Sequence, residues 1–360
     1  PASVAAQSSE RSTERSTERS TERSLERMAD GIAAAAERMA ARVEKHANLM
    51  ADRLERELAR RHESSSRMHR DDDRSPQERD ADWQQARSRI DTTIAFSADG
   101  TIDLSSISGD IIVNSWNRSD AHIKASSDRG RLSLDIAGSR ITLEEERRGS
   151  SWGGGRRDDT RYEVSIPRGV RVVARTTSGD VTIKGTGGQV EASSTSGDVT
   201  VVDASRRVEV SSVSGDVLAR DVKGRVEATS VSGSVELDGI EGDAHAESTS
   251  GDIVLTRLVS REVEASTTSG EVTFSGEMAN DGRYEFHSHS GNIELTVPAS
   301  VSARFSVETF SGELDSAFPI TLQPGDRTSR RPRRFEFTVG SGGARVIAET
   351  FSGDLEIRKR

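Results

Sequence analysis

The chain has 360 residues, a formal net charge of −10 and no cysteine, which excludes disulfides and thiolate chemistry. Hydrophobic residues make up only 32% and aromatics 4%. That is too little bulk for one globular core of this length, so a thin core or unfolded segments are expected.

Residues 1–6, "PASVAA" ahead of Gln7, read as the remnant of a secretory signal peptide, with small residues before a cut. This implies export to the periplasm or the cell surface. No run of about 18 apolar residues exists, so no transmembrane segment is expected. Residues 7–62 begin with the low-complexity repeat "RSTERSTERSTERS" and grade into Ala, Glu, Arg, Leu and Met, all good helix formers. Leu25, Ala29, Ile32, Ala36, Met39, Val43, Ala47, Met50, Leu54 and Leu58 recur at steps of three or four. They draw one Ala-rich stripe along a helical stalk from about 20 to 62. A solvated spacer, self-association as a coiled coil and a membrane-surface helix all stay open for it. Residues 63–89 are polar and charge-dense without periodicity and read as a disordered linker.

From Ile90 to the end, strand-like alternation dominates, and one ten-residue phrase recurs ten times. "LSSISGDIIV", "ARTTSGDVTI", "VSSVSGDVLA" and "AETFSGDLEI" are four of the copies. From Ser178 the Ser-Gly pairs are separated by 18, 18, 18, 18, 19, 21, 21 and 41 residues. The last gap reads as two turns with one phrase eroded. A fixed period near 20 marks a solenoid. Each period carries two alternating strands and a shorter third side, all with small apolar residues inward, such as Val208, Val210, Val217, Ala219 and Val222. The expected fold class is therefore all-β: residues 90–360 form a parallel β-helix or β-solenoid of about ten short coils, preceded by the amphipathic helix and linker.

Within the phrase, Gly109, Gly179, Gly197, Gly215, Gly233, Gly251, Gly270, Gly291, Gly312 and Gly353 are read as corners that need positive φ. Two residues before each Ser stands Ser or Thr, among them Ser194, Ser212 and Thr267. Stacking would line these hydroxyls into a ladder along the axis.

These features resemble the bacterial "putative adhesin" family of β-strand repeats, domain of unknown function 4097. The resemblance rests on "SISGDIIVNSW" with Ser108, Gly109, Asp110, Val113 and Trp116, on "YEVSIPRGVRVVARTTSGDV", on its echo "IELTVPASVSARFSVETFSGEL", and on the closing "TFSGDLEI". It covers about 90–360 and implies an exported, envelope-associated solenoid. It brings no catalytic residues.

The residue after each Ser-Gly is usually acidic, including Asp180, Asp198 and Asp216, with Ser234 and Asn292 interrupting the row. Either these carboxylates accept corner N–H groups, or a cation such as Ca²⁺ sits between rungs. His287 and His289 share a strand face at metal-ligand spacing but lack an evident third ligand, and an outward-facing pair is the competing reading. No cofactor is expected. From Val170 to Phe310 there are 12 Lys+Arg and 22 Asp+Glu, a difference of −10, which argues against nucleic acid. The basic cluster Arg327–Arg334 reads as a loop excursion or as a patch for an anionic polymer. Trp116 and Trp152 can stack on a sugar or cover a solenoid end. No nucleophile elbow, phosphate loop or zinc-protease motif is present.

The expectation is a non-enzymatic scaffold or adhesin-like binder whose partner is an envelope polysaccharide or protein. A polysaccharide lyase or hydrolase, and an envelope-stress sensor signalling through the helix, are the competing readings.

Overall fold

Period-two alternation of β-branched and polar residues leaves the chain one economical way to bury its small apolar side chains, which is to wind and stack. The computed structural model describes residues 88–128, 130–146, 160–319 and 333–360. The expected leader remnant and helix lie outside these residues, as does most of the linker. Ser88 and Arg89, expected in the linker, belong to the first strand. Among the described residues all regular structure is β, and no helix is long and apolar enough to cross a membrane.

The first strands are β1 (Ser88–Ala95), β2 (Thr101–Trp116), β3 (Asp120–Ser127), β4 (Arg131–Ala137), β5 (Arg140–Glu146) and β6 (Thr160–Pro167). Regular coils follow: β7 (Arg171–Ser178) with β8 (Val181–Lys184), β9 (Val190–Ser196) with β10 (Val199–Ala204), β11 (Val208–Ser214) with β12 (Val217–Lys223), and β13 (Val226–Ser232) with β14 (Val235–Glu241). Next come β15 (Ala244–Ser250), the long β16 (Ile253–Ser269) and β17 (Val272–Ser290), and β18 (Ile293–Val297). The last are β19 (Ala303–Ser311), β20 (Leu314–Ser316), β21 (Arg333–Val339), β22 (Ala344–Ser352) and β23 (Leu355–Lys359).

Every coil pairs in parallel with the next at matching positions. Val190 faces Val208 and Val208 faces Val226, while Val199 faces Val217 and Val217 faces Val235. Register is fixed because a one-residue slip would turn each inward Val or Ala to water. The third side contributes Ala204, Val222, Ile240 and Leu258, eighteen residues apart and all buried. Just ahead of this side the chain turns through a left-handed residue in each coil: Gly185, Asp203, Asp221, Gly239 and Arg257, with φ between 53° and 75°.

The ends depart from simple winding. The first phrase, on β2, lies between β7/β8 on one side and β5/β6 on the other, all parallel to it. The β5/β6 rung carries no Ser-Gly phrase, and it is flanked by antiparallel β4 and β3, with β1 antiparallel on β3. At the other end, β22 inserts between β17 and β19, and β23 between β18 and β20. The 41-residue gap is thus not two successive turns. The last phrase in sequence, Ser352, stacks between those of Ser290 and Ser311. Packing explains the order: Val346 and Ala348 separate the bulky Tyr284 and Phe286 from Phe305 and Val307. Phe305 then stacks on Phe337 of the antiparallel β21, with centroids 4.9 Å apart, and on Phe318 at 6.2 Å. Arg333 and Arg334, read as loop, belong to this end strand.

Candidate functional site

Each member of the repeated phrase except one has a structural task at the Ser-Gly corner. The corner glycine lets successive backbones approach. A Cβ added at any of the ten would lie 1.8–2.2 Å from a backbone carbonyl oxygen of the adjoining rung, closer than any side chain tolerates. The expected left-handed geometry is only part of the reason. Gly109, Gly179, Gly197, Gly270, Gly291 and Gly353 have φ of 137–159°, whereas Gly215, Gly233, Gly251 and Gly312 fall outside the positive range. At those four positions the constraint is the stacked backbone, not the dihedral angle.

The Ser or Thr two positions before the Ser-Gly pair is buried and donates to the corner carbonyl of the adjoining rung. Ser194 donates to Gly179 O (3.0 Å), Ser212 to Gly197 O (2.9 Å), Ser230 to Gly215 O (3.0 Å) and Ser248 to Gly233 O (3.1 Å). The hydroxyls therefore bond to backbone and not to one another, unlike the ladder expected. The stack ends at Glu145, in register beyond Ser106, whose buried carboxylate accepts from Ser127 Oγ and Thr160 Oγ1, both at 2.8 Å.

The acidic residue accepts a backbone N–H from the following rung. Asp180 Oδ1 takes Asp198 N (2.9 Å), Asp198 Oδ1 takes Asp216 N (2.8 Å) and Asp216 Oδ1 takes Ser234 N (2.8 Å). Asn292 does the same for Asp354 N at 2.9 Å, so the task is that of an acceptor oxygen and does not need a charge.

The serine of the Ser-Gly pair is the member left over. Ser178, Ser196, Ser214, Ser232, Ser250, Ser269, Ser290, Ser352 and Ser311 form one exposed column, and no partner for their hydroxyls is found among the described residues. The neighbouring outward column has drifted freely through Thr195, Val213, Thr268, His289, Phe351 and Phe310. One edge of the stack thus presents serine hydroxyls beside a row of carboxylates, repeated at about 4.8 Å.

His287 and His289 lie side by side on this face but turn to different partners. His287 Nδ1 is 3.4 Å from Glu349, whose carboxyl that imidazole holds below the usual range. His289 stacks on Phe351 (5.0 Å, 12°), and Phe351 on Phe310 (4.8 Å, 5°). Among the described residues no group of three His, Asp or Glu side chains is arranged to hold a metal ion. Trp116 donates its Nε1–H to Asp120 O at 2.8 Å, and Arg118 covers the ring at 4.4 Å. Trp152 lies outside the described residues.

His245 was not singled out by sequence. It interrupts a column of outward glutamates, Glu191, Glu209, Glu227 and Glu264. Burial works against its charge, but Glu247 at 3.0 Å and Glu264 at 3.1 Å outweigh that and push the imidazole up to about 9. The signal available beforehand was one basic-capable residue inside an otherwise acidic column at constant spacing.

The family model described as Toastrack DUF4097 matches residues 100–358. No curated protein matches the chain. Among solved structures, a "putative adhesin" from Bacteroides fragilis is similar at 12% identity and a TM-score of 0.39, covering 76% of this chain and 98% of its own. A "putative lipid binding protein" from Parabacteroides distasonis is 13% identical with a TM-score of 0.34, covering 74% of this chain and 96% of its own. A "putative cell adhesion protein" from Clostridium sporogenes is 10% identical with a TM-score of 0.22, covering 76% of this chain and 100% of its own.

Proposed function

The chain belongs to the Toastrack DUF4097 family, and on that premise we propose that it is an exported, non-enzymatic binding scaffold of the cell envelope. Its ligand on this reading is an extended polysaccharide lying along the Ser-Gly edge. The observation that carries the reading is the exposed serine column. The glycine, the buried hydroxyl and the acceptor oxygen each have a task inside the coil, whereas the serine hydroxyls of the nine phrases from Ser178 onward are exposed and have none, yet serine stands at every one of those positions. A solvent-facing position free of structural duty should drift, as its neighbour has.

Serine hydroxyls donate and accept, and the adjoining carboxylates accept from sugar hydroxyls. One such contact is weak. Regular spacing turns many weak contacts into avidity, because each engaged rung raises the local concentration of the polymer at the next. A stiff stack costs little ordering entropy on binding.

The test is co-sedimentation with insoluble envelope polysaccharide, comparing the full chain with a variant carrying Ser196→Ala, Ser214→Ala, Ser232→Ala and Ser250→Ala. The expected result is at least about tenfold weaker retention with an unchanged melting temperature, and a smaller loss for each single change. Undiminished retention by the fourfold variant would refute the reading.

A further inference from the structure

The two outermost phrase-bearing rungs at the C-terminal end are near-copies. Residues 303–314 read "ARFSVETFSGEL" and residues 344–355 read "ARVIAETFSGDL". They stack in register, Ala303 on Ala344 through Ser311 on Ser352, and the second lies between the first and β17/β18. Each forms the same corner bonds. Thr350 donates to Gly291 O at 3.0 Å and Thr309 to Gly353 O at 3.1 Å. Asp354 N donates to Asn292 Oδ1 at 2.9 Å, and Glu313 N to Asp354 Oδ1 at 2.8 Å.

A strand that leaves a sheet usually exposes two unpaired edges, and that cost keeps it in place. Here the departure of 344–359 leaves an edge that 303–316 is built to close. Thr309 can donate to Gly291 O in place of Thr350, and Glu313 N to Asn292 in place of Asp354. The short connection from Val297 to Ala303 favours that closure, since a shorter loop loses less entropy than the path to Ala344. The interleaved order wins overall because Val346 and Ala348 fit between aromatic layers that would otherwise meet directly.

We propose that residues 344–359 are an exchangeable strand, and that the position between β17/β18 and β19/β20 accepts this segment from a second copy of the chain. The contacts made in trans are the same as those made in cis, and self-closure by 303–316 removes the barrier that ordinarily holds such a strand at home. Reciprocal exchange of this kind joins two chains through the β17–β23 region of each stack.

The absence of cysteine permits a direct test. Full-length Glu285→Cys and full-length Ile347→Cys chains are mixed, refolded together from denaturant and oxidised. Glu285 and Ile347 are register partners with outward side chains. The control mixture pairs Ile347→Cys with Glu209→Cys, which lies in the same column several rungs away. Exchange predicts disulfide-linked heterodimer on the order of 10²-fold above the control, because paired cysteines react at millimolar effective concentration. Equal yields in the two mixtures would overturn the proposal. Joint refolding lets every chain choose a partner, so a slow native exchange rate does not hide the result.

Discussion

The middle of the stack and its C-terminal end carry the same phrase and solve different problems with it. From Val190 to Leu255 every coil has a neighbour on both sides, and the core is built almost wholly from Val, Ala, Ile and Leu. At the end, where neighbours run out, Phe274, Tyr284, Phe286, Phe305, Phe318 and Phe337 are buried, an antiparallel strand is added, and chain order gives way to packing order. The middle is held by backbone proximity, which needs small residues. The end is held by side-chain volume, which needs large ones. The Ser-Gly corner propagates a coil but cannot terminate it.

That contrast can be broken at its strongest point by adding a side chain in the middle. Gly215→Val places a Cβ 2.2 Å from the Gly197 carbonyl oxygen and should cost about 4 kcal/mol or more, seen as a large fall in denaturation midpoint. Because the obstacle is the Cβ itself and not a left-handed φ, Gly215→Ala should also be severe. If alanine were as stable as glycine, the close-approach explanation would fail. Removing volume at the end is the next largest effect. Phe305→Ala should cost about 3 kcal/mol, and hydrogen exchange should locate the loss in β19–β23 while β9–β14 keep their protection. Uniform loss of protection would mean the two regions do not separate.

A smaller effect comes from charge. His245 is held charged by Glu247 and Glu264, with its folded pKa raised from 6.5 to about 9. Its contribution is therefore fully present below pH 6.5 and lost as pH rises through about 9. His245→Gln should flatten the stability profile between those values, measured by urea unfolding across pH. The least effect is expected at the acidic row. Asp198→Asn keeps the acceptor for Asp216 N and should change stability by less than about 0.5 kcal/mol. Asp198→Ala removes it and should cost about 1 kcal/mol. Equal losses for the two would point to the charge and away from the hydrogen bond.

Much of the coil was legible beforehand. An 18-residue period with alternating Val and Ala fixes rung length and inward faces, as Val208, Val210, Val217, Ala219 and Val222 illustrate. The left-handed turn was not, because Gly185, Asp203, Asp221, Gly239 and Arg257 share spacing but no residue type. The end order was hidden for a different reason. Nothing in a linear spacing of 41 residues says that Ala348 fits between Phe286 and Val307, since that is decided by volume across three rungs. At the candidate edge the corner glycines and the acidic row stood out by repetition. The serine column was not legible, because its hydroxyls differ from the buried Ser or Thr only in lacking a partner inside the coil.

Spin-label pairs along the serine column test the winding and the interleaved end together. With one label at Ser196→Cys and the second at Ser290→Cys, Ser352→Cys or Ser311→Cys, the steps are five, six and seven rungs. At about 4.8 Å per rung the expected distances are about 24, 29 and 34 Å, so Ser352 lies nearer than Ser311 although it comes later in the chain. Distances that follow sequence order, or fail to grow by a constant step, would contradict a stack held in register at its Ser-Gly corners.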